Sequence, residues 1–208
     1  MQHTEDVAAY LRAHPGFLAA NPALYAVLAP PRRVHGQGLA DHMAAMLHQA
    51  RGQVAEAQRA GADAAADRRA AEGFARRVHD TVVALMRAPD PAWIATHELA
   101  GLLGVDAARL CSEFARPAGA APLPRGTVAA ALGHRPALVR PAQPDPMLHG
   151  EAVALATQEA LVRIPLIGGP ALLALACRDA QGLAGATTAT LAFLGQAIGA
   201  ALDRQAGA

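Results

Sequence analysis

Lysine is absent from this sequence, serine occurs once, and aromatic residues make up only 3% of the chain. All 18 basic residues are therefore arginine, and 17 acidic residues offset them to a net charge of +1. A chain without excess positive charge has no electrostatic reason to bind nucleic acid or an anionic membrane surface. A catalytic serine triad would have to use the single serine, Ser112, which argues against a serine hydrolase.

Cysteine is also scarce, since Cys111 and Cys177 are the only two. Two cysteines provide no disulfide framework and fit a reduced cytoplasmic protein. No basic segment followed by an apolar stretch opens the chain, so no signal peptide is evident. The longest apolar runs are too short to span a bilayer. We therefore expect a cytoplasmic protein that has no membrane segment.

Motifs for catalysis, metal binding and cofactor binding are missing as well. The sequence contains no P-loop, no Gly-x-Gly-x-x-Gly and no nucleophile elbow. Its nine histidines include no His-x-x-x-His pair, and His42 and His48 would lie on different faces of a helix. We predict a non-enzymatic protein with no catalytic residue and no metal site, and the sequence identifies no cofactor.

Alanine is abundant and supplies half of the 53% hydrophobic fraction. Because alanine buries little area, the core must come from scattered Leu, Val, Ile and Phe side chains. A chain of 208 residues is long enough for one ordinary domain and an appendage. Changes in pattern along the chain predict three regions, at residues 1–36, 37–88 and 89–208.

The first region, residues 1–36, has the pattern of a helical hairpin. Val7, Tyr10 and Leu11 share one helix face, and His14-Pro15 should end that helix because the residue before proline avoids the α conformation. Asn21-Pro22 is a typical N-cap and first-turn pair and predicts a second short helix. Pro30-Pro31 should end it.

The second region, residues 37–88, predicts one long helix, because no proline interrupts it between Gly38 and Ala88. One heptad seam is apolar throughout: Met43, Ala50, Ala57, Ala64, Ala71, Val78 and Leu85. The partner seam contains Leu39, Met46, Gln53, Ala60, Asp67, Phe74 and Thr81. This pattern favours a dimeric coiled coil with a thin, small-residue middle over a helix that packs on its own domain.

The third region, residues 89–208, alternates predicted helices and strands. Its predicted helices are one opened by Asp90-Pro91 and capped by Gly104, then 127–132, 150–158, and a closing helix with Leu191, Leu194, Ile198 and Leu202. Its predicted strands are 107–114, 137–140, 160–167 and 171–178, with loops at 117–124 and 141–146. The last two strands flank Gly168-Gly169-Pro170 and are almost continuously apolar, which predicts a central β-hairpin covered on both faces. The fold class is therefore α+β.

Several short motifs resemble those of the DUF484 family of proteobacterial proteins. They are Tyr10-Leu11, His14 to Leu18, Asn21-Pro22, Leu24, Leu28 to Arg32, Gly36, Leu39 to His42, Phe74 through Leu85, Arg163 to Leu166 with Gly168-Gly169, Thr190, Phe193-Leu194 and Leu202. The resemblance covers almost the whole chain, but its motifs are mostly apolar packing signatures. It implies a GAF-like C-terminal domain after the helical segments, and a regulatory role of uncharacterised biochemistry.

A GAF-like domain implies a small-molecule pocket between the sheet and the helices that cover it. Segments 127–140 and 144–158 and the inner face of the hairpin should line this pocket. For an anionic or nucleotide-like ligand, the polar candidates are Arg140, His149 and Arg163, because a guanidinium matches carboxylate and phosphate geometry. The alternative is that the two arginines lie on the surface and the histidine in a loop.

The predicted elements and the family resemblance are compatible with three functions. The leading hypothesis is a non-enzymatic regulatory module that senses a small molecule and forms a homodimer through its long and terminal helices. The second is a structural adaptor whose N-terminal helices bind a protein partner. The third is a thiol-dependent oxidoreductase, since some GAF-fold enzymes reduce methionine sulfoxide, but Cys111 and Cys177 lie in predicted strands without the electropositive loop that activates a thiolate.

Overall fold

The computed structural model describes residues 2–21, 23–24, 38–114, 117–143, 145–154 and 156–207. The chain divides into two compact units, Met1–Asp63 and Ala64–Ala208. Helix α3, Gly38–Arg87, begins in the first unit and ends in the second, as the proline-free pattern predicted.

Among the described residues of the first unit are two short α-helices that precede α3. Helix α1 spans Gln2–Ala13 and helix α2 spans Phe17–Ala20. Helix α1 stops before His14-Pro15, as predicted, and the Tyr10 ring stacks on His14 at 4.4 Å between ring centroids. Asn21 ends α2, where its side-chain amide donates to the Phe17 carbonyl. The predicted second helix also starts here, since Ala23 and Leu24 lie in a 3-10 turn and the Leu24 N–H donates to the Asn21 carbonyl at 3.0 Å. The rest of that predicted helix, with Pro30-Pro31, lies outside the described residues.

The second unit is an α+β domain, as predicted. Its helices are α4 (Pro91–Trp93), α5 (Leu99–Leu103), α6 (Thr127–Leu132), α7 (Pro146–His149) and α8 (Thr188–Ala206). A π-helical turn, Ile94–Glu98, joins α4 to α5, and a 3-10 turn, Gly150–Ala154, follows α7. Its strands are β1 (Ala107–Ser112), β2 (Ala121–Pro122), β3 (Ala137–Pro141), β4 (Gln158–Ile164) and β5 (Ala171–Cys177).

The five strands form one sheet in the order β2-β1-β5-β4-β3. All neighbours are antiparallel except β1 and β2, which are parallel. Strands β4 and β5 form the central hairpin, with Ile164 opposite Ala171. Every residue of β5 is buried, so the prediction of a central hairpin covered on both faces is confirmed. Pro165 follows the last residue of β4 and interrupts no ladder bond.

Helices cover the two faces of the sheet with different packing. On the face that we call the long-helix face, Val162, Leu173 and Leu175 pack with the end of α3, with α5 and with α8. On the opposite face, the short-helix face, Leu161 and Leu172 pack with side chains from α6 and α7. The core is therefore two apolar layers separated by the sheet, and α3 contributes to one of them.

The last turns of α3 are part of this core. Phe74, Val78, Thr81 and Leu85 are buried within the second unit, although their positions belong to the two predicted coiled-coil seams. These four side chains contact their own chain and are therefore not available to a second copy. Residues 48–69 of the helix are almost all exposed, and they include the small-residue middle of both seams.

Three local differences from the predicted elements have identifiable causes. The predicted loop 117–124 contains the two-residue strand β2, which is too short to carry a periodic pattern. The predicted strand 107–114 ends at Ser112 because Glu113 turns away to accept hydrogen bonds from Gly126 and Val128 at the start of α6. The predicted helix 150–158 is displaced toward the N-terminus: Asp145 caps α7, Gly150 ends it at φ +56°, and Gln158 already begins β4.

Candidate functional site

The polar centre of the short-helix face is a buried carboxylate, Glu159, held by two of the predicted site residues. The Arg140 guanidinium Nε lies 2.5 Å from Glu159 Oε1, and His149 Nε2 lies 2.6 Å from Glu159 Oε2. Glu159 is fully buried, the His149 side chain is 1% exposed, and the Arg140 side chain is 28% exposed. Each carboxylate oxygen therefore has its own nitrogen partner, and only the arginine reaches solvent.

Sheet register and a helix end bring the three side chains together. Arg140 on β3 lies directly opposite Glu159 on β4, so the pair is a cross-strand neighbour pair on one face. His149 is the last residue of α7. The short helix is held over this face in part by Arg109, whose guanidinium donates to the Pro146 carbonyl at 3.1 Å.

The electrostatic state of Glu159 follows from two opposing effects. Burial raises the pKa of Glu159, because a carboxylate loses its hydration inside a protein. Hydrogen bonds from His149 and Arg140, with the arginine charge, outweigh this and hold the pKa below its ordinary value. Glu159 is therefore an ionised carboxylate at neutral pH, and the cluster is an internal ion pair with a histidine attached.

The third predicted site residue, Arg163, does not join this cluster. It lies four residues further along β4, about 13 Å away at the usual rise per strand residue, and its guanidinium donates to the Gly133 carbonyl at 2.6 Å. The structure thus brings Arg140 and His149 together and places Arg163 at the C-terminal end of the strand.

Glu159 was missed in the sequence because the predicted hairpin began one residue later, at Ala160. A charged residue beside an apolar run that is covered on both faces must be paired, since an isolated buried charge is too costly. That requirement, applied to Glu159, would have led to Arg140 as a cross-strand partner once the register was known.

Apolar side chains fill the space where a GAF-like ligand was expected. Leu123, Val128, Leu132 and Leu148 pack on Leu161 and Leu172 across the short-helix face. A cavity of about 20 Å³ lies beside Ala107 and Ala176, which is room for about one water molecule. Around Glu159, this face is therefore packed with apolar side chains of the chain itself.

A larger concavity lies at the end of the sheet, where the β4–β5 turn meets the C-terminal end of α8. Its volume is about 710 Å³. We call it the end groove; its lining residues are Ala92, Phe114, Pro117, Ala118, Leu166, Ile167, Gly168, Leu202, Asp203, Gln205, Ala206 and Gly207. The volume is within the range of small-molecule sites, about 300–1,000 Å³.

Rigid elements hold the walls of the end groove in place. The Phe114 ring packs against Gly169 in the β4–β5 turn so closely that a Cβ on that glycine would collide with the ring. The Gln205 amide accepts from the Ala92 backbone at 3.2 Å and donates to the Asp90 carboxylate at 2.9 Å. Asp203 accepts from the Ile167 backbone at 3.2 Å. The groove is therefore preorganised on three sides.

The two thiols lie in the apolar layers and do not line the end groove, although Cys177 borders the cavity of about 20 Å³. Burial raises the pKa of Cys111 to about 11 and also raises the pKa of Cys177. A thiol with a raised pKa is a poor nucleophile at neutral pH, because the thiolate is the reactive form. Ser112 is likewise buried.

In comparisons with known proteins, neither a family model nor a curated protein sequence matches this chain. Within the described ranges, no group of three His, Cys, Asp or Glu side chains is placed to hold a metal ion. None of the described helices combines the length and apolar character that crossing a membrane requires.

Proposed function

We propose that this chain is a non-enzymatic regulatory module that senses a small molecule through a GAF-like domain. The observation that carries the proposal is the end groove, an apolar concavity of about 710 Å³ with preorganised walls. A large apolar pocket with a few convergent polar groups is the usual form of a small-molecule site. The ligand position is therefore moved from the short-helix face, where Arg140 and His149 already bind Glu159, to the end of the sheet.

Other features of the second unit support the GAF-like fold and the non-enzymatic role in this proposal. An antiparallel sheet with a central hairpin and helices on both faces is consistent with a GAF-like domain, as the DUF484 resemblance implies. The raised pKa values of Cys111 and Cys177 weaken the hypothesis of a thiol-dependent oxidoreductase. A homodimer and a cytoplasmic location remain predictions.

Native mass spectrometry of the purified protein, combined with thermal shift against a metabolite panel, tests the sensing function. We expect either a small-molecule mass adduct or a stabilising metabolite for the wild type, and its loss in Ala206→Phe, which places a ring in the groove. Ala130→Phe, an exposed alanine on α6, is the matched control and should behave as wild type. A protein mass without any bound small molecule, together with no compound that raises the unfolding temperature, would contradict the proposal.

The structural adaptor is the second candidate, and the closed short-helix face favours it. A domain whose expected ligand position is filled by its own leucines and by Glu159 needs no small molecule to be complete. If the wild type carries no small-molecule adduct and no metabolite stabilises it, the adaptor becomes the better explanation. The next measurement would then be a search for a protein partner of the N-terminal helices.

A further inference from the structure

We propose that the end groove binds a small molecule with an apolar body and a protonated amine or guanidinium group at one end. This inference rests on the sensing function proposed above and adds the chemistry of the ligand. It follows from the apolar walls, from the negative charge of Asp203 at one end of the groove, and from the position of the Arg125 guanidinium over the Phe114 ring.

The walls of the groove select an apolar body. Leu166 and Leu202 line its inner side, and Phe114 and Ala118 line another. Ile167 stands at its rim with 90% of its surface exposed. Covering such a side chain removes apolar area from water at roughly 25 cal/mol per Å², so an aliphatic or aromatic ligand would be favoured over a polar one.

The α8 end of the groove selects a positive charge. Among the described lining residues, Asp203 has the only charged side chain. Its oxygens accept one backbone N–H, from Ile167, although a carboxylate has about four acceptor positions. Ala206 and Gly207 bring the C-terminal carbonyls of α8 to the same end, and a helix C-terminus carries a partial negative charge of about half a unit.

The aromatic wall does not provide a second cation site. The Arg125 guanidinium already lies over the Phe114 ring, 5.5 Å from its centroid. A ligand cation there would be repelled by the arginine, so the ligand is oriented with its charge toward Asp203 and its apolar body toward Phe114. A ligand carboxylate, in contrast, would meet Asp203 and the carbonyls of α8.

The test compares three probes with one apolar body: octylamine hydrochloride, octanol and octanoate, each below its micelle concentration. Binding is followed by the backbone amide NMR signals of Ile167, Gly168 and Gly207 in the full chain. We expect octylamine to perturb these signals and to bind about tenfold or more tightly than octanoate. Octanol should lie between them.

Two variants separate charge from shape. Asp203→Asn keeps an acceptor for Ile167 and should bring the octylamine and octanoate affinities within about threefold of each other. Asp63→Asn, at an exposed position of α3, should leave the preference unchanged. Ala206→Phe should abolish the perturbation by all three probes.

Several outcomes would overturn the proposal, and they differ in what they say about sensing. Equal affinities in the wild type, or a preference that survives Asp203→Asn, would reject the cationic ligand. Octylamine signals that persist in Ala206→Phe would reject the groove as the site. In these cases a metabolite found by mass spectrometry would still support sensing, whereas no binding of any kind would remove both proposals.

Discussion

Glu159 links two residues of different elements, because Arg140 comes from an edge strand and His149 from the end of a four-residue helix. From the sequence, Arg140 and His149 are candidates for binding an anionic ligand, if the domain takes one, and the alternative places the arginine on the surface and the histidine in a loop. The anion that they bind in the structure is a carboxylate of the same chain. The chemical preference of these residue types was thus readable from the sequence, whereas the identity of their partner depended on the sheet register.

Replacing Glu159 by glutamine tests this internal ion pair. We expect Glu159→Gln to lower the free energy of unfolding at pH 7 by about 1.5–3 kcal/mol, since hydrogen bonds to a charged group are lost or weakened. Because the folded pKa of Glu159 is below its ordinary value of 4.5, its contribution is present above that pH and is lost as the pH falls through the folded pKa. The difference between wild type and variant should therefore shrink below about pH 4.5.

Urea unfolding of both proteins from pH 7 to pH 3 measures this difference. Glu151→Gln is the matched control, because Glu151 is exposed and lies outside the cluster; it should change stability by less than about 0.5 kcal/mol. A difference that stays constant with pH would show that the cluster does not depend on the charge of Glu159.

At the level of elements, helix α8 lies unusually close to the end of β4. A Cβ on Gly195 would collide with the Arg163 carbonyl oxygen, and one on Gly199 would collide with that of Pro165. Both positions are buried. Glycine is therefore required at these two points by the approach of the helix to strand backbone, even though it is a poor helix former.

We expect Gly195→Ala to destabilise the domain, although alanine favours a helix by roughly 1 kcal/mol over glycine. The collision forces α8 away from the sheet, and overpacking of this kind costs about 1–3 kcal/mol. Gly101→Ala in α5 is the control: nothing lies within 4 Å of its added Cβ, so it should stabilise. Thermal unfolding shows whether each variant has a higher or lower unfolding temperature than the wild type. A higher unfolding temperature for Gly195→Ala would refute the close approach.

Long elements with strong patterns were predictable, and short ones were not. The proline-free stretch fixed α3, and the Asp90-Pro91 pair fixed the start of α4, where Asp90 accepts from Trp93. The Asp145-Pro146 pair carries the same signal and begins α7 in the same way, although the predicted loop 141–146 includes it. The π-helical turn Ile94–Glu98 left no mark in the apolar spacing, since the helix on either side continues.

The end groove could not be predicted for a different reason. Its walls come from four separated segments, around Ala92, Phe114, Leu166 and Leu202, and each of these residues reads as ordinary core. A concave surface arises only from the way the ends of elements meet. Sequence patterns indicate which face of a single helix or strand is buried, so they do not predict how the ends of several elements come together.

For the molecule as a whole, the exposed middle of α3 bears on oligomeric state. A helix that is exposed on nearly all sides gains little from its own chain, because most helical stability comes from packing of an apolar face. The small residues of the predicted seams at 50, 57, 60 and 64 are free of the core that buries Phe74 and Leu85. We therefore keep the prediction of a dimer and place its contact on residues 48–69.

Sedimentation velocity of seam variants tests this prediction. The wild type should be a dimer, and Ala57→Glu should weaken dimerisation about tenfold or more, because it places like charges opposite each other in the seam. Ala55→Glu is the matched control: it is exposed on the same helix and points about 200° away. A monomeric wild type, or equal effects of the two variants, would contradict the predicted seam.

The two cysteines have a practical consequence for following motion in this domain. Cys111 belongs to the apolar layer on the short-helix face, and Cys177 to the layer on the long-helix face. Neither thiol can meet a labelling reagent until its own layer opens, so each reports on one side of the sheet. Labelling rates of Cys111→Ala and Cys177→Ala proteins would then show which layer opens first. A ligand that stabilises only one layer would lower the labelling rate of the thiol in that layer and leave the other rate unchanged.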